Sequence, residues 1–203
     1  LESLVSNEIA EQRTLEFKRD LNIEKDSDRL KFVQNISSFA NAQGGDILYG
    51  IDAPKGVAIG ISGIQDVDRD DVILNLEDLL ISGVQPRMTG LRSRWIACGD
   101  RGHVLLIRVP ASPIAPHRVI YKGNNSFYGR KSTGKYPMDT AELREAFTAS
   151  EALPTRLRAL HLEAVDAVHR DHLPISVGDN PHAILSLIPV RRQRPWHRFE
   201  VVM

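Results

Sequence analysis

Four carboxylates near the start of the chain are candidates for binding a metal ion. Glu11 and Glu16 precede or lie on a first predicted strand, and Asp46 and Asp52 fall on one face of a second. If the two strands pair, these groups converge. Clustered carboxylates repel each other unless a cation offsets them, and Mg²⁺ or Mn²⁺ held in this way activates water against a phosphodiester.

The same acids also have a purely structural interpretation. Glu16 beside Lys18 is typical of an exposed ion pair, and Asp46 and Asp52 are typical of strand ends. Spacing alone favours this structural interpretation over a catalytic one.

Positive charge is concentrated in one part of the chain, although the formal net charge is zero. Residues 101–138 contain seven Arg or Lys and no Asp or Glu. Because phosphates are contacted mainly by Lys and Arg, we predict an electropositive face that binds nucleic acid. Tyr121 and Tyr128 are candidates for stacking on a base, or ordinary strand aromatics. The predicted basic contacts are Arg19, Arg118, Lys122, Arg130, Lys131 and Lys135.

The segment GRKSTGK, residues 129–135, has the glycine and lysine spacing of a nucleotide-binding loop. The match fails at Tyr136, which stands where a Ser or Thr should bind magnesium, and Pro137 follows where the helix should run. ATP binding is therefore not expected, and a basic loop that touches phosphates fits better.

Composition is that of a soluble globular protein, with 42% hydrophobic and 26% charged residues. No apolar run approaches the roughly 20 residues of a membrane span, and no secretion signal opens the chain. A single cysteine, Cys98, fits a reducing compartment, so we expect a cytoplasmic protein without a membrane partner. Because the chain starts at Leu1 rather than methionine, we expect a fragment.

Hydrophobic periodicity predicts the elements that position these residues. The segment LEFK alternates as a strand, a helical stripe begins near Ser27 or Asp28 and ends before Gly44, and DILYGID alternates as a second strand. That second alternation places Ile51 on the face of Ile47 and Tyr49. A second helix follows from about Asp70 to Gly83.

Two hairpins and further helices follow in the second half of the chain. The turns GDRG and GNN each separate two strand-like segments. Asp139 and Glu142 resemble a capping box for a helix through about Ala149, and Pro154 is expected to separate it from the next helix. The segment HAILSLIPV, residues 182–190, is predicted as a strand that opens a truncated second unit.

Three motifs resemble one known family. LEFKR, SSFANAQGGDILYGID and FYGRKSTGKYPM, with the helix after it, are similar to the AlbA-like domain of the Schlafen family over roughly residues 8–147. In that family the Ala-Asn-x-x-Gly-Gly joint carries the chain from a core helix into a central strand. Gly44 and Gly45 would allow the sharp turn, and Asn41 would bond to backbone or phosphate at this ligand-facing corner.

The resemblance implies a nucleic-acid-binding protein with a possible catalytic set. Animal members include endoribonucleases that use two glutamates, an aspartate and a divalent metal. The glutamates match Glu11 and Glu16, but Ala53 replaces the third acid, so Asp52 or Asp46 is the candidate substitute. Lys18 would lie near the phosphate. The zinc-binding residues of animal members have no counterpart here.

We therefore expect an α/β fold with a mixed, largely antiparallel sheet and packed helices over residues 8–149. Residues 150–203 are expected to form a helical linker and the start of a second unit. The expected function is nucleic-acid binding, to RNA or DNA, with Mg²⁺- or Mn²⁺-dependent cleavage if the acids converge. The alternative is an inactive regulatory or assembly module. Because animal Schlafens resemble two facing copies of this domain, a homodimer is expected.

Overall fold

The computed structural model describes residues 1–170 and 184–187. It divides into two compact units, Leu1–Phe147 and Thr148–Met203. Among the described residues, no helix combines the length and hydrophobicity that crossing a membrane requires. The helices within these residues are α1 (Glu2–Ser6), α2 (Asp26–Ala40), α3 (Arg69–Gly83) and α4 (Thr140–His169).

The strands of the first unit form two four-stranded sheets and a small two-stranded one. The first sheet has the order β1-β2-β7-β6 and the second the order β10-β9-β8-β5, whereas β3 pairs only with β4. Only β1 and β2 pair in parallel, so the expected mixed, largely antiparallel α/β fold is confirmed. The strands are β1 (Leu15–Lys18), β2 (Gly44–Tyr49), β3 (Ile51–Asp52), β4 (Gly60–Ile61), β5 (Val84–Gln85), β6 (Arg92–Ala97), β7 (His103–Pro110), β8 (Arg118–Val119), β9 (Ser126–Lys131) and β10 (Gly134–Pro137).

The core has two hydrophobic clusters on opposite faces of the first sheet. The larger cluster joins the apolar stripe of α2 to alternate residues of β2 and β7, such as Ile47 and Ile107. The smaller cluster contains Phe17, Leu48 and Val104 and is contacted by Leu4 of α1. This alternation follows from the strand period of two and buries both faces of the central strands.

The joint between α2 and β2 depends on glycine. Gly44 has φ +73°, and a Cβ atom there would lie 2.6 Å from both the Ala111 nitrogen and the Val109 oxygen. Glycine is the amino acid that accepts this backbone conformation together with so close an approach of the neighbouring strand. The prediction that the chain turns sharply at this joint is confirmed.

Gly50 changes the predicted face of the residues after it. With φ +96° it ends β2, so β3 belongs to a different sheet. Ile51 therefore packs with Leu48 in the smaller cluster, and the prediction that it shares a face with Ile47 is wrong, because the positive φ interrupts the alternation.

The helices agree with the sequence patterns except at one proline. The capping box is confirmed by reciprocal hydrogen bonds between Asp139 and Glu142. The prediction that Pro154 separates two helices is wrong, because α4 continues through it. Proline removes one N–H donor and bends a helix, but the flanking turns still bond to each other.

The second unit is described only in part. It contains the later turns of α4 and residues 184–187, and His161 Nδ1 lies 2.9 Å from Ser186 Oγ. Most of the predicted strand at 182–190 and the segment 191–203 lie outside the described residues.

Candidate nucleic-acid interface

A buried carboxylate lies at the meeting point of the two larger sheets. Glu16 on β1 is only 6% exposed and forms ion pairs with Lys18 at 2.5 Å and with Arg130 of β9 at 2.5 Å. Asn35 of α2 donates a hydrogen bond to Glu16 Oε1 at 3.0 Å and accepts one from Lys135 Nζ at 2.7 Å. We call these five residues the Glu16 cluster.

The Glu16 cluster carries more positive than negative charge. Three cationic side chains surround a single carboxylate. Burial acts to raise the pKa of Glu16, but the neighbouring Lys18 and Arg130 outweigh burial and hold this pKa below its ordinary value. Burial lowers the pKa of Lys135 to about 8. The Glu16 carboxylate opposes this shift, whereas the positive charges of Lys18 and Arg130 add to it. The cluster is therefore short of negative charge.

Arg130 is the most deeply buried cation of the cluster. Its side chain is 2% exposed, its Nε donates to the Arg13 carbonyl at 3.0 Å, and its guanidinium lies 3.6 Å from the centre of the Phe39 ring. Its Nη1 is buried and has no hydrogen-bond partner in the structure. Arg130 was predicted to contact nucleic acid, but the structure places it inside the domain, where it fixes Glu16.

Glu11 covers the free edge of β1. Its Oε1 accepts a hydrogen bond from the Phe17 N–H at 2.9 Å. Gln12 bonds with both backbone groups of Leu15 on the same edge. One oxygen of Glu11 is thus used by the backbone, so Glu11 serves here as a structural partner of β1.

Strand register separates the remaining acids from Glu16. Glu16 is paired with Ile47, and Asp46 with Leu15, so Glu16 and Asp46 point to opposite faces of the sheet. Asp46 instead accepts two hydrogen bonds of 2.8 Å from Arg108. Asp52, on β3, lies 3.6 Å from the Nε of Arg19. The four carboxylates therefore do not meet at one point.

The acids do not form a set that fits a divalent metal. Within residues 1–170 and 184–187, no group of three or more His, Cys, Asp or Glu side chains is arranged to hold a metal ion. Mg²⁺ and Mn²⁺ need several oxygen ligands, whereas Glu16 and Asp46 are already held by basic side chains. No metal-dependent step can be built from these residues as they are placed.

Comparison with known proteins identifies the family. The model of the Schlafen, AlbA_2 family matches residues 11–139, which is more than half of the 203 residues. The chain belongs to the Schlafen, AlbA_2 family. The earlier resemblance to this family is thereby confirmed.

Two solved structures are similar to the AlbA_2 domain. The DIP2311 protein from Corynebacterium diphtheriae is 18% identical with a TM-score of 0.47, and the match covers 71% of this chain but only 27% of that one. The N-terminal domain of a RecG-related protein from Nitrosomonas europaea is 18% identical with a TM-score of 0.45, covering 63% of this chain and 82% of that domain. No curated protein matches the chain.

The side-chain amide of Asn41 in the AlbA_2 domain forms hydrogen bonds with backbone groups. Its amide Nδ2 donates to the carbonyls of His117 and Tyr128, both at 3.0 Å, and its Oδ1 accepts the His117 N–H at 2.6 Å. Of the two predicted partners, backbone or phosphate, the structure gives backbone. The polar joint thus holds the second sheet against α2.

The other predicted basic contacts of the AlbA_2 domain are spread over its surface. Arg118 donates to Gln85 Oε1 at 2.9 Å, Lys122 pairs with Asp26 at 3.1 Å, and Lys131 lies 4.3 Å from the centre of the Tyr136 ring. Because neighbouring strand residues alternate, Lys131 lies on the face opposite Arg130 and Lys135. The GRKSTGK segment is a β-hairpin, which differs from the strand-to-helix loop that cradles nucleotide phosphates.

The two tyrosines proposed to stack on bases are anchored in the fold. Tyr128 is buried in the larger cluster, and its hydroxyl receives a hydrogen bond from Gln34 at 2.8 Å. The Tyr121 hydroxyl donates to Asp26 at 2.7 Å. Tyr128 is therefore a strand aromatic that fills the core. The prediction of a strand position is wrong for Tyr121, which lies in the short 3-10 turn Tyr121–Gly123.

Sequence reasoning missed Asn35 of the AlbA_2 domain. This residue connects Glu16 to Lys135 and is buried between Phe32 and Ile36 in α2. The available signal was a polar residue among the apolar positions of an amphipathic helix, because a buried amide needs hydrogen-bond partners.

Proposed function

We propose that the domain binds nucleic acid by receiving a backbone phosphate at the Glu16 cluster. The observation that carries this proposal is the unequal charge, with Lys18, Arg130 and Lys135 around a single carboxylate. A phosphate supplies the missing negative charge and accepts hydrogen bonds from lysine ammonium groups. Membership of the Schlafen, AlbA_2 family is consistent with this function.

Two lysines of the cluster reach the surface and would make the contact. The Lys18 side chain is 40% exposed, and Lys135 is half-buried. Arg130 would act from below as a positioning residue, since it fixes Glu16 and through it Lys18. The unpartnered Nη1 of Arg130 adds to the shortage of acceptors at this point.

The proposal includes no cleavage step. The carboxylates that the resemblance assigns to a metal are held by arginine, lysine or backbone partners. Contacts with phosphates position a nucleic acid without a need for divalent metal. Recruitment of RNA or DNA therefore fits the geometry better than hydrolysis.

Self-association remains a prediction of the family resemblance. A homodimer would bring two Glu16 clusters to one nucleic acid. Light scattering at micromolar concentration should then give twice the 22.7 kDa of the chain. A mass that stays at 22.7 kDa over this range would contradict it.

A salt titration tests the binding site. The change is Lys18→Gln with Lys135→Gln, and fluorescence anisotropy measures binding of labelled single-stranded RNA and DNA. Each phosphate contact releases counterions. The double variant should therefore bind about tenfold more weakly, and the slope of log affinity against log salt concentration should become shallower by about two.

The matched control removes two exposed positive charges elsewhere. Arg156→Gln with Arg158→Gln on α4 should keep the wild-type salt dependence. Circular dichroism confirms that each variant is folded. If the lysine variant binds as wild type does, the Glu16 cluster is not the phosphate site.

A further inference from the structure

We propose that Arg92, Arg94 and Arg108 form a second phosphate-binding surface, which we call the arginine face. This inference rests on the proposed function and extends it to a second region of the domain. The three residues lie on the neighbouring strands β6 and β7, and each is exposed. None of them belongs to the Glu16 cluster.

Strand register aligns the three arginines. Arg92 is paired with Arg108 and Arg94 with Leu106, so all three side chains leave the sheet on the face that carries Leu106. Directly opposite residues in an antiparallel pair lie about 5 Å apart at Cβ, and alternate residues on one strand about 7 Å apart. The three arginine side chains therefore leave the backbone within one small area of this face.

The acidic residue bonded to the arginine face is Asp46. Asp46 is paired with Arg108 in register and forms a double hydrogen bond with it. No ion pair or side-chain hydrogen bond joins Arg92 or Arg94 to another described residue. Like charges directly opposite each other destabilise a strand pair, so an external anion would stabilise this arrangement.

Arginine is suited to the expected ligand. Its planar guanidinium donates two parallel hydrogen bonds to phosphate, and alternate positions on a strand repeat this donor along a line. An extended phosphodiester backbone matches such a line of donors better than a single isolated anion does.

The position of the arginine face indicates which nucleic acid reaches both surfaces. Glu16 lies on β1, at one edge of the first sheet, and the arginines lie at or beside the other edge. Because Glu16 is in register with Ile47, and Arg108 with Asp46, the two surfaces also lie on opposite faces. A duplex is stiff over about 150 base pairs. We therefore infer that a flexible single strand passes around the sheet to contact both surfaces.

The experiment uses the whole chain and a labelled single strand of about 30 nucleotides, longer than the about 4–16 nucleotides that one small domain covers. Arg92→Gln with Arg94→Gln should weaken binding about tenfold, and the slope of log affinity against log salt concentration should become shallower by about two. Arg92→Lys with Arg94→Lys should keep the wild-type slope, because the charges remain. The Arg156→Gln, Arg158→Gln variant is the control for net charge.

The outcomes separate this inference from the proposed function. If only the Lys18, Lys135 variant loses affinity, the arginine face is overturned and the Glu16 cluster stands. If only the Arg92, Arg94 variant loses affinity, the reverse holds. Absence of binding by the wild type, or an equal loss in the control, overturns both. If one strand contacts both surfaces, combining the two double variants should flatten the slope by about four.

Discussion

Arg130 Nη2 and Glu16 Oε2 lie 2.5 Å apart in a buried ion pair that joins β9 of one sheet to β1 of the other. The two residues are 114 positions apart in the chain. This contact holds the two sheets together at the edge where they meet. Glu16 therefore has a structural role whether or not it takes part in binding.

The first prediction concerns this ion pair. Arg130→Ala removes one of the two direct ion-pair partners of the buried Glu16 carboxylate, and we expect a loss of about 3–5 kcal/mol in the free energy of unfolding. Urea denaturation followed by circular dichroism measures it. In a Glu16→Gln background the same substitution should cost clearly less, because no buried charge is left. An equal cost in both backgrounds would show that Arg130 stabilises through its contacts with Phe39 and the Arg13 carbonyl and not through Glu16.

The second prediction concerns pH. Burial lowers the pKa of Lys135 to about 8, so below pH 8 most molecules carry its charge and above pH 8 most do not. A bound phosphate favours the charged form, so affinity for a single strand should fall as pH rises from 7 to 9. Lys135→Arg should remove this dependence, since arginine stays charged. Equal pH profiles for the two proteins would assign the dependence to another group.

The third prediction concerns the joint at Gly44. Gly44→Ala places a Cβ 2.6 Å from two backbone atoms at φ +73° and should cost more than about 2 kcal/mol of unfolding free energy. Gly99→Ala is the matched control, with φ +62° and no atom within 4 Å, and should cost about 1 kcal/mol. Thermal denaturation compares the two. Similar costs would show that backbone conformation alone limits both sites.

The fourth prediction concerns divalent metals. Since Glu16 and Asp46 are held by basic partners, Mn²⁺ at millimolar concentration should leave the melting temperature unchanged and labelled RNA intact. Calorimetry and gel electrophoresis with and without EDTA check this. Mn²⁺-dependent cleavage that Glu16→Gln abolishes would instead restore the metal mechanism that the family resemblance implies.

Much of the fold could be predicted from local sequence patterns. The candidate site could not, because it depends on how distant strands pair with each other. The strand predicted at LEFK and the capping box at Asp139 are local signals that the structure confirms. The burial of Glu16, on the face predicted to be polar, had no such signal. Whether Glu16 meets Asp46 depends on the register of β1 against β2, and a shift of one residue reverses the answer. No local pattern fixes that register.

Arg130 is a second case in which a long-range contact, and not a local pattern, decides where a side chain lies. In the sequence it is one of several basic residues in an acid-free segment, where an exposed position is the ordinary expectation. It shares a strand face with the buried Tyr128, and that alternation was the available clue. Its partner Glu16 lies on a distant strand, so the ion pair that explains the burial could only be seen in the folded chain.

Glu11 and Gln12 form hydrogen bonds with the free edge of β1, and these bonds restrict how copies of the domain can assemble. An uncovered strand edge is a template for pairing with another chain, and here the edge beside Leu15 and Phe17 is already bonded. The opposite edge of the same sheet is β6. Two copies joined there would bring their Arg92 and Arg94 charges together, so mutual repulsion opposes a continuous sheet across two molecules. Both edges of this sheet therefore oppose its continuation into a neighbouring copy, so we expect any dimer to form through a different surface.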